Sequence, residues 1–407
     1  MTPLTRLLAV LGLLYVSQGL PFGFLVKALP AVAREQGMAT AYIGLLALPA
    51  APWALKFLWA PWVDRLGAGR AGHRKRWLVS MQASAVVVLV LLALLDPGRL
   101  FDSHFVVFLL LLTLLNALFA THDVASDGLA VRLLPVSLRG IGNSIQSGGY
   151  KAGMIVGSAI MLLALDHLGW QNALLLMATW LLLVLWPVVR YPEPPEPADQ
   201  LPVRERGWWW RSFTGFWWRP GLLTWLAVLV LYKIGDSFGS RMIKPMLVDM
   251  EWSLSAIGTL DLFSSMAGLL GAAVGGGLML LLPRVTALIL FACFQALGLW
   301  GWSQLDGNSS VQMVWLVSLV EQFSDGLATV ALFTMMMDRC RPGHEGSDYT
   351  QQASLLLGSS GLFTLGSGFS AEALGYSGHF LVSAVLSLMA IIPALRLRSW
   401  RANVPVR

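Results

Sequence analysis

Apolar runs long enough to cross a membrane follow one another along almost the whole chain, and nothing else in the sequence constrains the fold as strongly. A hydrocarbon core roughly 30 Å thick is spanned by about 20 apolar residues in an α-helix. Of the 407 residues 56% are apolar and 12% charged, against about 25% charged in an ordinary soluble domain. A water-facing surface of normal polarity therefore cannot be built, and most of the surface must face lipid. The runs and their breaks predict twelve membrane helices, at 5–30, 40–63, 77–95, 104–133, 140–165, 171–190, 221–246, 255–282, 286–303, 311–337, 349–374 and 377–397. The run from Leu4 to Phe24 lacks a small-residue cleavage pattern and its hydrophobicity continues to Leu29. It reads as the first membrane helix, not as a secretory signal.

The net charge of +6 sits in short loops. Arg65, Arg70, Arg74, Lys75, Arg76, Arg132, Arg139, Arg190, Arg204, Arg206, Arg211, Arg219, Arg284, Arg339 and Arg341 all fall after even-numbered segments, whereas the opposite loops hold Arg34 and Arg99. This asymmetry predicts a multi-pass protein of the inner membrane with both termini cytoplasmic. It explains the basic balance without nucleic acid. Cys293 and Cys340 have no metal-ligand spacing and form no disulfide framework. No phosphate-cradling loop, metalloprotease His–Glu pair or Gly-x-Ser-x-Gly elbow is present. The expectation is a protein that is not an enzyme and uses no cofactor.

The chain divides at Tyr191–Gln200, YPEPPEPADQ, whose proline and acid content predicts an extended spacer. The tryptophans and arginines that follow, from Trp208 to Trp218, read as a segment lying in the headgroup region. The expected domains are thus 1–190, a linker over 191–219, and 220–407. The two halves repeat each other: Ser126-Asp127-Gly128-Leu129-Ala130 recurs as Ser324-Asp325-Gly326-Leu327-Ala328, and Asp123 falls on Glu321. Phe22-Gly23 parallels Phe238-Gly239, Ile43-Gly44 parallels Ile257-Gly258, and Gly140 and Gln146 parallel Gly346 and Gln352. Collinear matches on several segments exclude chance. Two six-helix halves in parallel repeat resemble the major facilitator superfamily, which implies an all-α membrane fold of twelve helices in two pseudo-symmetric bundles, working as a monomer, with a substrate site near the midplane.

An ionisable side chain at membrane depth costs about 2.5 to 3.5 kcal/mol, so each calls for a partner or a wet cavity. Asp123 and Asp127 are four residues apart, on one helix face, and Glu321 and Asp325 repeat the spacing. Burial and mutual repulsion favour the protonated form of at least one acid in each pair, which is what a proton carrier needs. These four acids, with Asp236 and Asp261, are the candidate proton-coupling residues, Asp127 foremost. The alternative is that they neutralise Lys56, Lys151, Lys233 or Arg132 in structural ion pairs. Lys27, Lys151 and Lys233, with Tyr150, Gln146 and Tyr232, are the candidate substrate-binding residues, fixed cations in this setting attracting an anion. Lys27 has a second reading, snorkelling to the outer surface. Gly19, Pro21 and Gly23 predict a loosened first helix, and the glycines around Gly153 predict close helix packing.

The loop Asp64-Arg65-Leu66-Gly67 with Arg70 and Arg74-Lys75-Arg76 resembles the acid, basic and glycine loop of the superfamily, which implies a gate between conformations carried by Asp64, Arg65, Gly67 and Arg70. The loop around Arg284 is its degenerate counterpart. The strings GLPFGFLVKALP, GHRKRWLVSMQ, DVASDGLAVRLLP and GNSIQSGGYKAGMIVG resemble permeases of the AmpG type for muropeptides and, more closely, RhtX/FptX-type importers of ferri-siderophores; the resemblance covers residues 12–160 and the second half only loosely. That resemblance implies proton-driven import by alternating access of a pyochelin-like complex, with iron present only inside the bound siderophore. The AmpG branch often carries a longer chain, which favours the siderophore branch. The alternatives are import of muropeptides or another peptide-like solute, and a non-transporting receptor of the same fold.

Overall fold

A computed structural model describes residues 2–35, 38, 45–101, 103–197, 207–219 and 221–397. Ile43, Gly44, Arg204 and Arg206 lie outside the described residues, as do the positions after 397. Every regular element among the described residues is helical. The first half contains α1 (Pro3–Gly23), α2 (Leu29–Glu35), α3 (Ala51–Leu55), α4 (Ala60–Arg65), α5 (His73–Leu94), α6 (Phe105–Leu133), α7 (Arg139–Ile155) and α8 (Met161–Val189). After α9 (Trp208–Trp217) come α10 (Leu222–Leu231), α11 (Ile234–Ser240), α12 (Ile243–Asp249), α13 (Leu254–Leu281), α14 (Arg284–Ser303), α15 (Val311–Met337), α16 (Glu345–Thr364), α17 (Ser367–Met389) and α18 (Ile391–Arg396).

Nine helical runs among the described residues are long and apolar enough to cross a membrane. The difference from the twelve predicted segments has local causes. The run Val136–Val189 contains two of the predicted segments, joined at Gly169 with φ 77° and ψ 172°. The second predicted segment is cut into short pieces by Pro49, Pro52 and Pro61, because proline removes a backbone donor and clashes with the preceding turn. The eleventh, α16, carries Glu345, Asp348, Gln351 and Gln352 in its first turns.

Two compact units form, and they do not follow the sequence halves strictly. Unit 1 gathers residues 1–134, 148–212 and 340–354, and unit 2 gathers 135–147, 213–339 and 355–407. The apolar core of unit 1 includes Leu20, Phe24, Leu89, Phe108, Phe119 and Met177, and that of unit 2 includes Met246, Leu260, Trp302, Val314 and Phe380.

In unit 1, α1 runs past Pro21 into a π-helical turn, Phe24–Ala28, which accommodates the missing donor of the proline without breaking the helix. A Cβ at Gly157 would land on the Leu20 carbonyl oxygen and one at Gly153 on that of Val16, so these glycines are packing residues that let two backbones touch.

Candidate functional site

Unit 1 assembles a polar core around α6. The proline-rich second segment turns through a 3-10 step at Lys56–Leu58, which delivers buried Lys56 to Asp123, forming a close ion pair. One helical turn on, Asp127 accepts a hydrogen bond from the Tyr15 hydroxyl at 2.9 Å. Gln18 of α1 donates to Ser126 Oγ at 2.6 Å and meets His122 Nδ1 at 3.1 Å. The other His122 nitrogen meets Gln82 Oε1 at 3.1 Å. Beside the ion pair lie three rings: Trp53, Phe22 and Tyr150. Their centroids are 5.5 Å apart for Phe22–Trp53, 5.9 Å for Phe22–Tyr150 and 6.3 Å for Trp53–Tyr150. The Lys56 ammonium stands 5.3 Å over the Trp53 ring, a cation–π arrangement.

Unit 2 solves the same problem with different residues. The seventh predicted segment breaks at Lys233, where φ −107° and ψ 1° separate α10 from α11. The break turns Lys233 toward two acids, in a close ion pair with Asp325 of α15 and another with Asp236 at 3.1 Å. Thr329 also donates to Asp325, at 3.3 Å. Glu321, 1% exposed, accepts from Gln322 at 3.0 Å through Oε2, while its Oε1 has no hydrogen-bond partner among the described residues. A Cβ at Gly298 would sit 2.7 Å from the Glu321 Cα, so α14 presses directly on this position.

The basic loop of unit 1 is buried to a degree its charge conceals. Gly67, Gly69 and Gly72 take φ of 100°, 80° and 70°, conformations that side chains resist, and fold the loop back so that Asp64 and Arg74 are 2% and 0% exposed. Arg74 binds Asp64 and Glu345 at 2.8 Å each. Asp64 in turn accepts from the N–H groups of Gly346 and Ser347, at 3.1 and 2.6 Å, at the start of α16, where the helix dipole favours an anion. A Cβ at Gly128 would strike the Arg74 guanidinium, which gives the repeated glycine of α6 a specific task. Arg65 stands 4.2 Å over the Trp208 ring, and Arg70 is exposed.

The acids of the proline-rich spacer are part of this cluster. Glu193 accepts from the backbone N–H groups of Arg74 and Lys75, at 3.2 and 2.7 Å, capping α5, and pairs with Arg132 at 3.0 Å. Glu196 lies 3.1 Å from His73 Nδ1 and 3.2 Å from Arg132. Burial pushes the Glu196 carboxyl up, but the hydrogen bond with His73, the Arg74 charge and the Gly69 N–H outweigh it and bring it down to about 2.

Of the residues expected at the site, Asp123, Asp127 and Tyr150 come together in unit 1, and Lys233, Asp236, Glu321 and Asp325 in unit 2. Lys27 is exposed on the π-helical turn, and Lys151 is half-buried. Gln146 is buried. Tyr232 is fully buried and donates to the Leu288 carbonyl at 2.9 Å, which makes it a packing residue. Asp261 is half-exposed and pairs with Lys244 at 3.1 Å. Arg132 binds spacer acids and not an acid of the membrane segments. Tyr15, Gln18 and Gln82 carried no signal beyond one polar atom in an apolar run, and Glu193 and Glu196 were masked by their proline-rich context.

A model of the Major Facilitator Superfamily matches residues 11–350. The chain belongs to the major facilitator superfamily. This superfamily transporter is 26% identical over 398 residues to the anhydromuropeptide permease of Escherichia coli K12, covering 94% of the chain and 78% of that relative. It is 23% identical to putative transporter AmpG 4 of Rickettsia conorii, covering 96% of both. The latter match removes the length argument against the AmpG branch, since an AmpG-type relative is matched nearly end to end. The outward-conformation structure of the superfamily transporter FucP superposes with a TM-score of 0.76 at 14% identity, over 98% of this chain and 99% of that one, which shows the fold. The protein is therefore a multi-pass membrane transporter.

Proposed function

We propose that this transporter imports an anhydromuropeptide-like solute, sugar rings bearing a short acidic peptide, across the bacterial inner membrane by alternating access with both termini cytoplasmic. The observation that carries the reading is the near full-length match to the anhydromuropeptide permease and AmpG-type relatives. It supports this reading better than import of a ferri-siderophore, for which no such match speaks. The ring trio Phe22, Trp53 and Tyr150 beside Lys56 suits such a cargo, because aromatic faces pack on sugar rings and a cation attracts a peptide carboxylate.

Proton symport is the second part of the proposal. Each half holds two acids a helical turn apart, and in each half a lysine is drawn close to one of them, Asp123 or Asp325. We assign proton carriage to Asp127, which accepts from the Tyr15 hydroxyl, and to Glu321, which accepts from the Gln322 amide. The Asp64–Arg74–Glu345 cluster is the proposed gate, since releasing it frees the start of α16. Liposomes holding the purified protein, given labelled anhydromuropeptide and an inward proton gradient, test the whole. Accumulation abolished by an uncoupler supports it. Gradient-independent equilibration, or accumulation of a ferri-siderophore in its place, overturns it.

A further inference from the structure

A cavity lies wholly within unit 2. It measures about 180 Å³, room for several waters. Its walls come from α11–α12, α13 and α15, and its polar members include Lys244, Asp261, Ser264, Ser318, Glu321 and Gln322, with Leu260 among the apolar ones. Three observations give it direction. At one end the Lys244–Asp261 pair is 59% and 43% exposed, at the end of the bundle that the loop charges assign to the outside. Midway, Ser264 and Ser318 share a hydrogen bond of 2.7 Å, both buried. At the far end Glu321 lines the cavity with its Oε1 buried and unpartnered. A buried acceptor without a donor is costly, and a cavity of this size can supply the donor as water.

We propose that this cavity is a proton entry path to Glu321, separate from the route of the cargo. A hydronium entering past Lys244 and Asp261 gives its proton to the Glu321 carboxylate, leaving water in the cavity and a neutral carboxylic acid on α15. The charged groups facing Glu321 are Asp325 on its own helix, Asp236 and Lys233 from the broken segment, and Lys244 and Asp261 across the cavity. The inference rests on the proton-symport reading and adds the route.

Infrared difference spectroscopy on the full chain in liposomes tests it without any cargo. The C=O band of a protonated Glu321, assigned by its loss in Glu321→Gln, shifts when deuterons replace protons after transfer to D₂O. The expected result is a fast shift in the wild type and one slowed about tenfold, equivalent to about 1.4 kcal/mol, in Ser264→Leu and in Leu260→Phe, each of which fills the cavity. A shift at the wild-type rate in both variants overturns the route and leaves proton symport standing. Absence of the band at every pH where the protein is folded, with pH-dependent uptake kept in Glu321→Gln, overturns the route and leaves proton symport to Asp127; absence of the band with uptake indifferent to pH and to an uncoupler overturns both. Loss of the band on adding sodium, with sodium-driven uptake, overturns it in favour of a metal-ion site. If neither filled variant folds, Ser318→Cys in a chain also carrying Cys293→Ala and Cys340→Ala decides. Its modification by a small charged thiol reagent from outside supports the route, and inertness overturns it.

Discussion

Both halves carry two acids at the same spacing, but each draws its lysine from a different place. In the first, Asp123 is held by Lys56 from the broken second segment; in the second, Asp325 is held by Lys233 from the broken seventh. Through the repeat, Asp123 corresponds to Glu321 and Asp127 to Asp325, so the ion-paired acid has changed places within the motif. Duplication preserved the spacing of the carboxyls, while each half found its counter-ion where its own backbone break could supply one. The comparison teaches that symmetry in a duplicated membrane protein is kept by helices, and that charges are balanced locally because an unbalanced one is too costly to retain.

Removing either lysine should have the largest effect. Lys233→Met leaves Asp325 and Asp236 facing each other without their shared lysine, and is expected to destabilise the protein by about 5 kcal/mol, the upper end for a broken buried pair. Thermal unfolding in detergent reads this, and adding Asp325→Asn should recover part of the loss. Lys56→Met strands one acid and should cost about 3 kcal/mol; equal losses in the two variants would show that the second acid around Lys233 is immaterial. The loops extend the contrast. Asp64→Ala, at a fully buried cluster, should lower stability by about 2 kcal/mol or more. Asp338→Ala should cost about 1 kcal/mol or less, because its pairs with Arg139 and Arg284 are 14 to 20% exposed.

Asp127→Asn keeps an acceptor for Tyr15, so its effect on melting should be small, about 1 kcal/mol at most. Accumulation of cargo and its pH dependence should nevertheless be lost. Asp325→Asn, combined with Lys233→Met so that the net charge of the pocket is unchanged, should retain pH dependence. The reverse outcome would place the proton on the ion-paired acid.

The smallest effect concerns the spacer. Folding lowers the Glu196 carboxyl to about 2, so its contribution to stability is complete above the ordinary carboxyl range and fades as pH falls through that range toward 2. The difference in melting temperature between wild type and Glu196→Gln should be constant at neutral pH and close on acidification.

Hydrophobic run length, loop charge and the repeated Ser-Asp-Gly-Leu-Ala string were sufficient to read a helical membrane transporter of this superfamily, because lipid leaves few ways to satisfy a backbone and each leaves a one-dimensional trace. The candidate acids were legible for the same reason: a carboxyl inside an apolar run stands out. Their partners were not. Tyr15 meets Asp127 across 112 residues, and Asp64 reaches Ser347 across 283. No spacing rule links such positions, and whether Lys56 or Lys151 neutralises Asp123 depends on how prolines cut the second segment. The sequence by itself determined the elements, their number of buried charges and their duplication. Which charge faces which, that Glu193 caps α5 and that Glu321 lines a cavity follow instead from distances between helices, which are set by packing rather than by order along the chain.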